Sequence, residues 1–137
     1  MNYRNFDLLI KKVQKCRKTG DVPVAACVVR NGKVLSIGIN SRNKKYCTTN
    51  HAEIIAIQKA NKKLRSCFLY NCDLYVTLKP CEMCEKVINN SRISNVYYLL
   101  DKPVSKHEYT KTKYIQTKSN LTEKYSNILR DFFNKLR

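Results

Sequence analysis

Cys81 and Cys84 form the one C-x-x-C pair of the chain. Three residues apart on a helix, two side chains share a face. Pro80 stands before them, and proline favours the first turn of a helix. There the unsatisfied N–H groups and the positive dipole end favour thiolates over thiols. Two soft ligands in such a place suit a cation. A structural zinc site needs four ligands, and the chain has no second C-x-x-C pair. A third ligand must come from elsewhere, and an open fourth position would mean catalysis. The chain has two histidines. His107 lies in a weakly patterned basic stretch, whereas His51 opens a helical segment, Asn50-His51-Ala52-Glu53. Side chains two apart on an ideal helix point roughly 200° from each other. His51 and Glu53 therefore share a site only if His51 sits at the helix start, with Asn50 as the N-cap residue. The expected arrangement is two helix N-termini facing each other across a metal. His51, Cys81 and Cys84 are the candidate ligands. Glu53 lies near the open position, unligated and able to move protons.

Each part also has a plainer reading. A C-x-x-C pair can be two small buried residues. A histidine at a helix start is often a polar cap, and a glutamate in the first turn is by default a capping-box partner. The combination is far more specific than its parts. H-x-E followed by P-C-x-x-C is the known signature of the zinc nucleobase deaminases, so the pattern is recognised rather than deduced from spacing.

These side chains need elements to position them. Residues 4–18 place Phe6, Leu9, Ile10, Val13 and Cys16 at helical spacing, and Gly20 follows as a stop. Residues 24–30 read as a buried strand, Asn31-Gly32 as a hairpin turn, and residues 33–39 as the partner strand. A polar, basic loop is expected from Ser41 to Asn50. Residues 51–63 form a helix with Ile54, Ile57 and Ala60 on one face. Residues 73–78 read as a strand, Pro80 opens the next helix, and residues 94–100 read as a further strand. Residues 101–118 are polar and lysine-rich, with a short strand near Tyr114–Thr117. The last segment is an amphipathic helix whose stripe is Leu121, Tyr125, Ile128, Leu129, Phe132, Phe133 and Leu136. Asn120 and Glu123 predict its capping box. A hairpin, alternating helices and strands, and terminal helices make an α/β fold, a three-layer α/β/α sandwich over one domain, residues 1–137.

Composition bounds the function. The 137 residues, 43% of them hydrophobic, suit one globular domain. The longest apolar run, Val24 to Val29, is far too short to span a bilayer. The start, MNYRNFDLLIKK, carries an acid inside its apolar stretch and does not read as a signal peptide. The expectation is a cytoplasmic protein with no membrane partner. Cys16, Cys27, Cys47, Cys67 and Cys72 are then expected to be reduced, and mostly small core residues. The net charge is +17. A polyanionic partner is the functional reading of that charge. AT-rich codon usage is the plain alternative, since 19 lysines stand against 8 arginines. The charge is not uniform, however. Residues 1–20 carry +5, residues 42–65 carry +6 and residues 102–137 carry +6, whereas residues 66–101, around the C-x-x-C pair, carry −1.

On these residues the sequence resembles the bacterial tRNA-specific adenosine deaminase family, within the cytidine deaminase-like superfamily. The matching segments are DVPVAACVV, the GIN at Gly38–Asn40, NHAEIIAI, LYVTLKPCEMC, SRISNVYY and the closing DFF at Asp131–Phe133. The resemblance implies a central mixed five-stranded sheet and a homodimer. It implies one Zn2+ per subunit on His51, Cys81 and Cys84, with Glu53 as the proton shuttle. It further implies hydrolysis of adenosine to inosine at the wobble position, A34, of a tRNA anticodon. Zinc would bring the pKa of a water to about 7, and Glu53 would pass its proton to the ring nitrogen and, after hydroxide attack, would protonate the leaving ammonia in a second transfer. An anticodon loop offers a base that is already unpaired. Asn40, Val24 and Ala52 would meet that base, and Phe132 and Phe133 would help hold the tRNA anticodon stem-loop.

The chain departs from the family at Lys79, where an acid is usual, and at Ala26, where glycine is usual. After Tyr98 it reads LLDKPVSKHEYTKTK, with no glycine in a loop that lies beside the substrate in the family. These departures leave the catalytic residues intact and bear on substrate choice. Two other functions compete. One is a deaminase of a free base or nucleoside, of guanine or cytosine type, against which the basic charge argues. The other is a non-catalytic zinc-stabilised RNA-binding subunit, against which the presence of Glu53 argues.

Overall fold

The computed structural model describes residues 2–101 and 112–136. Strand β1 (Ala25–Arg30) is buried on both faces, which is why it reads as an unbroken apolar run. It turns into β2 (Lys33–Ile39) through Asn31 and Gly32, at φ +51° and +75°. Positive φ at both turn residues matches the right-handed twist of the strands they join. β3 (Cys72–Leu78), β4 (Asn95–Leu100) and β5 (Lys113–Gln116) complete a five-stranded sheet in the order β2-β1-β3-β4-β5. The β2–β1 and β1–β3 pairs are antiparallel, and the β3–β4 and β4–β5 pairs are parallel. The sheet is thus mixed, as expected.

Alternation along the strands divides the core in two. On one face Val28, Leu74, Val76 and Val96 meet Ile57 and Ala60 of α3 (Ala52–Leu64) and Ile88 of α4 (Glu82–Asn90). On the other, Cys27, Tyr75 and Leu99 meet Phe6, Leu9 and Val13 of α1 (Arg4–Val13) and Tyr125 and Leu129 of α5 (Asn120–Lys135). The three-layer sandwich follows.

One contact sets where α3 lies. Gly38 on β2 has no side chain, and a Cβ there would run into the Ala52 carbonyl oxygen and stand 2.7 Å from the Ala56 nitrogen. Ser36, two residues before it, donates from Oγ to the Ala56 carbonyl at 2.7 Å. The first turns of α3 therefore sit directly on β2. β2 is an edge strand. Its outward carbonyls at Ile37 and Leu35 accept from Nζ of Lys59 (3.0 Å) and of Lys63 (3.4 Å).

Several local expectations are corrected. The first helix ends at Val13, and residues Gln14–Lys18 tighten into a 3-10 turn. The segment read as a loop from Ser41 to Asn50 contains a short helix, α2 (Arg42–Lys45). Its cause is Asp21, which is buried. Its carboxylate accepts from the backbone N–H groups of Asn43 (2.7 Å) and Lys44 (3.4 Å), and an anion there satisfies orphan donors of the first turn. The cap of α5 is Ser119, in a box with Thr122, one residue earlier than the Asn120–Glu123 pair. The hydroxyl of Ser119 accepts from the Leu121 N–H at 3.1 Å. The stripe on α5 is shorter than expected: Tyr125, Ile128 and Leu129 are buried, whereas Phe133 and Leu136 are exposed. Cys16, Cys27 and Cys72 are buried free thiols, Cys47 is half-buried and Cys67 is exposed. Among the described residues, no helix is long and apolar enough to cross a membrane.

Candidate active site and metal centre

The site is built where α3 and α4 begin. His51 is itself the N-cap residue of α3, at φ −75° and ψ 150°. The expected cap, Asn50, lies one position outside, where its carbonyl accepts from the Ser41 N–H at 3.0 Å. Extended backbone at position 51 takes that side chain off the helical face and removes the 200° conflict with Glu53. α4 repeats the arrangement. Cys81 is its N-cap residue, at φ −74° and ψ 171°, so Pro80 precedes the helix rather than opening it. Cys84 follows in the first turn and is fully buried.

The sulfur of Cys81 lies 3.8 Å from His51 Nδ1. One ligand atom from each of His51, Cys81 and Cys84 lies within 4.8 Å of the other two. These three residues could hold a metal ion, and the donor set fits zinc: one imidazole and two thiolates, with a coordination position left over. Of the three, the Cys84 thiol is the buried one. Its hydrogen bond with Cys81, its burial and the nearby Glu53 carboxylate all hold it protonated, well above the ordinary thiol range. A bound divalent cation would favour the thiolate instead.

Beside these residues is a pocket of about 140 Å3. Val22, Val24 and Leu78 supply its apolar wall, and His51, Glu53, Cys81 and Asn40 its chemistry. Glu53 is 4% exposed, from the first turn of α3. Asn40 is fixed in place: its Nδ2 donates to the Val22 carbonyl at 3.0 Å and its backbone N–H to the Val24 carbonyl at 2.9 Å. Its Oδ1 is buried with no partner among the described residues, an acceptor available to a ligand. Arg42 and Lys79 also reach the pocket. Lys79, one of the residues that depart from the family pattern, lines the same pocket as His51 and Cys81. Its Nζ lies 3.7 Å from Asp101 and 5.7 Å from the centre of the Tyr98 ring.

The structure brings six of the nine sequence-chosen residues together: His51, Cys81, Cys84, Glu53, Asn40 and Val24. Ala52 is buried behind them against Gly38 and does not line the pocket. Phe132 and Phe133 pack edge-on to each other on α5, ring centres 5.1 Å apart, and do not line it either. His107 lies outside the described residues. Val22, Leu78 and Arg42 were missed. A signal existed for Leu78: it ends the strand that delivers Pro80 and Cys81, so it must face the same cleft.

A profile of the MafB19-like deaminases matches residues 2–137. The chain belongs to the MafB19-like deaminase family. A tRNA-specific adenosine deaminase of Aquifex aeolicus is 33% identical to this deaminase over 93% of the chain and 91% of its own length. One from Rickettsia bellii is 33% identical over 93% of the chain and 97% of its own length. Among solved structures, one from work on tRNA:A34 deaminases aligns at TM-score 0.75 and 27% identity, covering 83% of this chain and 97% of the other. A Bacillus subtilis guanine deaminase aligns at TM-score 0.68 and 30% identity, covering 74% and 66%. The resemblance read from the sequence holds, and so does the cytidine deaminase-like fold. What the MafB19-like deaminase can do with its site follows from the geometry: hold a cation at two helix N-termini, with a buried carboxylate at the edge of a pocket for a flat ring.

Proposed function

We propose that the chain hydrolyses adenosine to inosine at the wobble position, A34, of a tRNA anticodon, with one zinc ion per subunit on His51, Cys81 and Cys84. The observation that carries this reading is the placement of Glu53 in one pocket with His51 and Cys81. The relatives named as tRNA-specific adenosine deaminases narrow the substrate to RNA adenosine.

Zinc supplies, when bound, the Lewis acidity that makes a water ionise near neutral pH. The rest is the work of the chain. Glu53 accepts one proton from the attacking water and passes it to the ring nitrogen beside the reacting carbon, then takes the remaining hydroxyl proton and passes it to the departing amine as the C–N bond breaks and the carbonyl forms. Water and adenosine become inosine and ammonia. Asn40 Oδ1 accepts a hydrogen bond from the substrate, and Val24 and Leu78 keep bulk water from the ring. Pockets that bury a whole drug-sized ligand run to roughly 300–1,000 Å3. At about 140 Å3 this one seats a ring and leaves sugar and phosphates outside, as suits a nucleotide within a polymer. The roles of Ala52, Phe132 and Phe133 and the homodimer rest on the resemblance alone.

A second reading, deamination of free guanine, is favoured by the alignment with the guanine deaminase. The deciding experiment incubates the zinc-loaded protein with an arginine tRNA transcript bearing A34, scored for inosine by mass spectrometry. Inosine at position 34 is expected. No inosine, with ammonia released from guanine instead, establishes the second reading.

A further inference from the structure

We propose that a lysine-lined groove along the β2 edge seats the sugar-phosphate backbone of the RNA whose base enters the active-site pocket. This rests on the reading of the substrate as RNA and adds the surface that holds it.

The groove, of about 530 Å3, is floored by Ile37 and Ile39 of β2 and by Ile55 of α3. Three elements raise lysines around it: Lys12 and Lys15 from α1 and the turn that follows it, Lys44 and Lys45 from α2, Lys59 and Lys62 from α3. Among the described residues, no acidic one lines it. Lysines on three separate elements thus converge on one groove. Lysine is a point charge on a flexible stem, which suits phosphates met in any sequence context.

The groove also borders the pocket. Ser41 and Asn50 line the groove, while their neighbours Asn40, Arg42 and His51 line the pocket. The backbone bond from the Ser41 N–H to the Asn50 carbonyl, at 3.0 Å, is therefore the wall that the two share. A nucleotide with its base in the pocket has its own phosphates at that wall, and the adjoining chain runs on into the lysines. Glu53, three positions from Asn50, lines the pocket rather than the groove, and Asp21 is buried against the amides of α2, so neither carboxylate is among the residues that line the groove.

The test is binding of a fluorescein-labelled RNA stem-loop with an unpaired A in its loop, across a salt series. It compares the wild-type protein with Lys12→Ala/Lys15→Ala, Lys59→Ala/Lys62→Ala and a control pair away from the groove, Lys33→Ala/Lys113→Ala. Each phosphate contact on a single strand contributes about 0.7 to the slope of log affinity against log salt. Each groove pair should flatten that slope by about 1.4 and weaken binding on the order of tenfold near physiological salt. KM should rise with kcat unchanged at saturating RNA, and Lys→Arg at the same positions should restore binding. The control pair should bind as wild type. Lys12→Ala/Lys15→Ala leaves the bond from Lys59 to β2 intact, so it answers independently if the other pair misfolds.

Groove variants that keep wild-type affinity and slope, while the wild type edits RNA, overturn the groove and spare the function. A wild type that neither binds nor edits RNA removes the functional reading and the groove with it. A change in oligomeric state with unchanged affinity per site assigns the surface to a second copy of the chain and overturns the proposal.

Discussion

The sulfur of Cys81 lies 3.8 Å from Nδ1 of His51, across 30 positions of sequence. Each is the cap of its own helix, so their closeness fastens two helix N-termini together on one face of the sheet. A cation shared there would tie α3 to α4. His51→Ala or Cys81→Ala should lose the metal by elemental analysis, and thermal unfolding should come at lower temperature than for the loaded wild type. Full metal content in either variant would contradict the assignment of ligands.

Glu53→Gln keeps the size of the side chain and removes its capacity to take a proton. It should retain metal and fold, and lose on the order of 10²–10⁴-fold in kcat, the range general acid–base groups contribute. Single-turnover assays of inosine formation measure it.

Gly38→Ala should act on the site from behind. The added methyl meets backbone of α3 at Ala52 and Ala56, which cannot rotate away. Overpacking of this kind costs roughly 1–3 kcal/mol, and here it displaces the helix that carries His51 and Glu53. Urea unfolding should show the loss, and activity should fall by more than stability predicts.

The thiols differ in reactivity. Burial pushes Cys27 up to about 12 and Cys16 to about 11, whereas hydrogen bonds from Thr49 lower Cys47. Iodoacetamide at pH 8 should label Cys47 well before Cys16 or Cys27, read by peptide mass spectrometry. In the unfolded chain a thiol titrates near 9.0, and folding raises Cys27 above it. The stability from its retained proton is complete below pH 9 and is lost as the pH rises toward 12, so alkaline unfolding should ease in Cys27→Ala.

Ser119→Ala should cost about 1 kcal/mol through loss of the α5 cap, while Asn120→Ala should cost far less. Chemical denaturation of the two variants separates the observed cap from the one its sequence suggested.

The elements were legible where one physical signal dominates. Asn31-Gly32 can hardly do other than turn, and Val28 lies in a run that only a doubly covered strand buries. The hydrophobic period likewise placed Phe6, Leu9 and Val13 on one face. Caps were less legible, because Asn50 and His51, or Ser119 and Asn120, are adjacent residues that can each begin a helix, and tertiary contacts choose between them. The short α2 was hidden because its stabilising group, Asp21, lies more than twenty residues away. Arg42 carries no motif, and Leu78 signals itself only by its place at the end of a strand. They join the site because strand ends and loops converge there, which periodicity does not encode.

Lys59 and Lys63 have one more consequence. A bare edge strand is a template on which another chain can add its own strand. By covering the outward carbonyls of Ile37 and Leu35, the two lysines remove acceptors that such an intruder would need, and place charge along the approach. A chain with a net charge of +17 thereby carries its own protection against ordered aggregation on the side where its sheet would otherwise stand open.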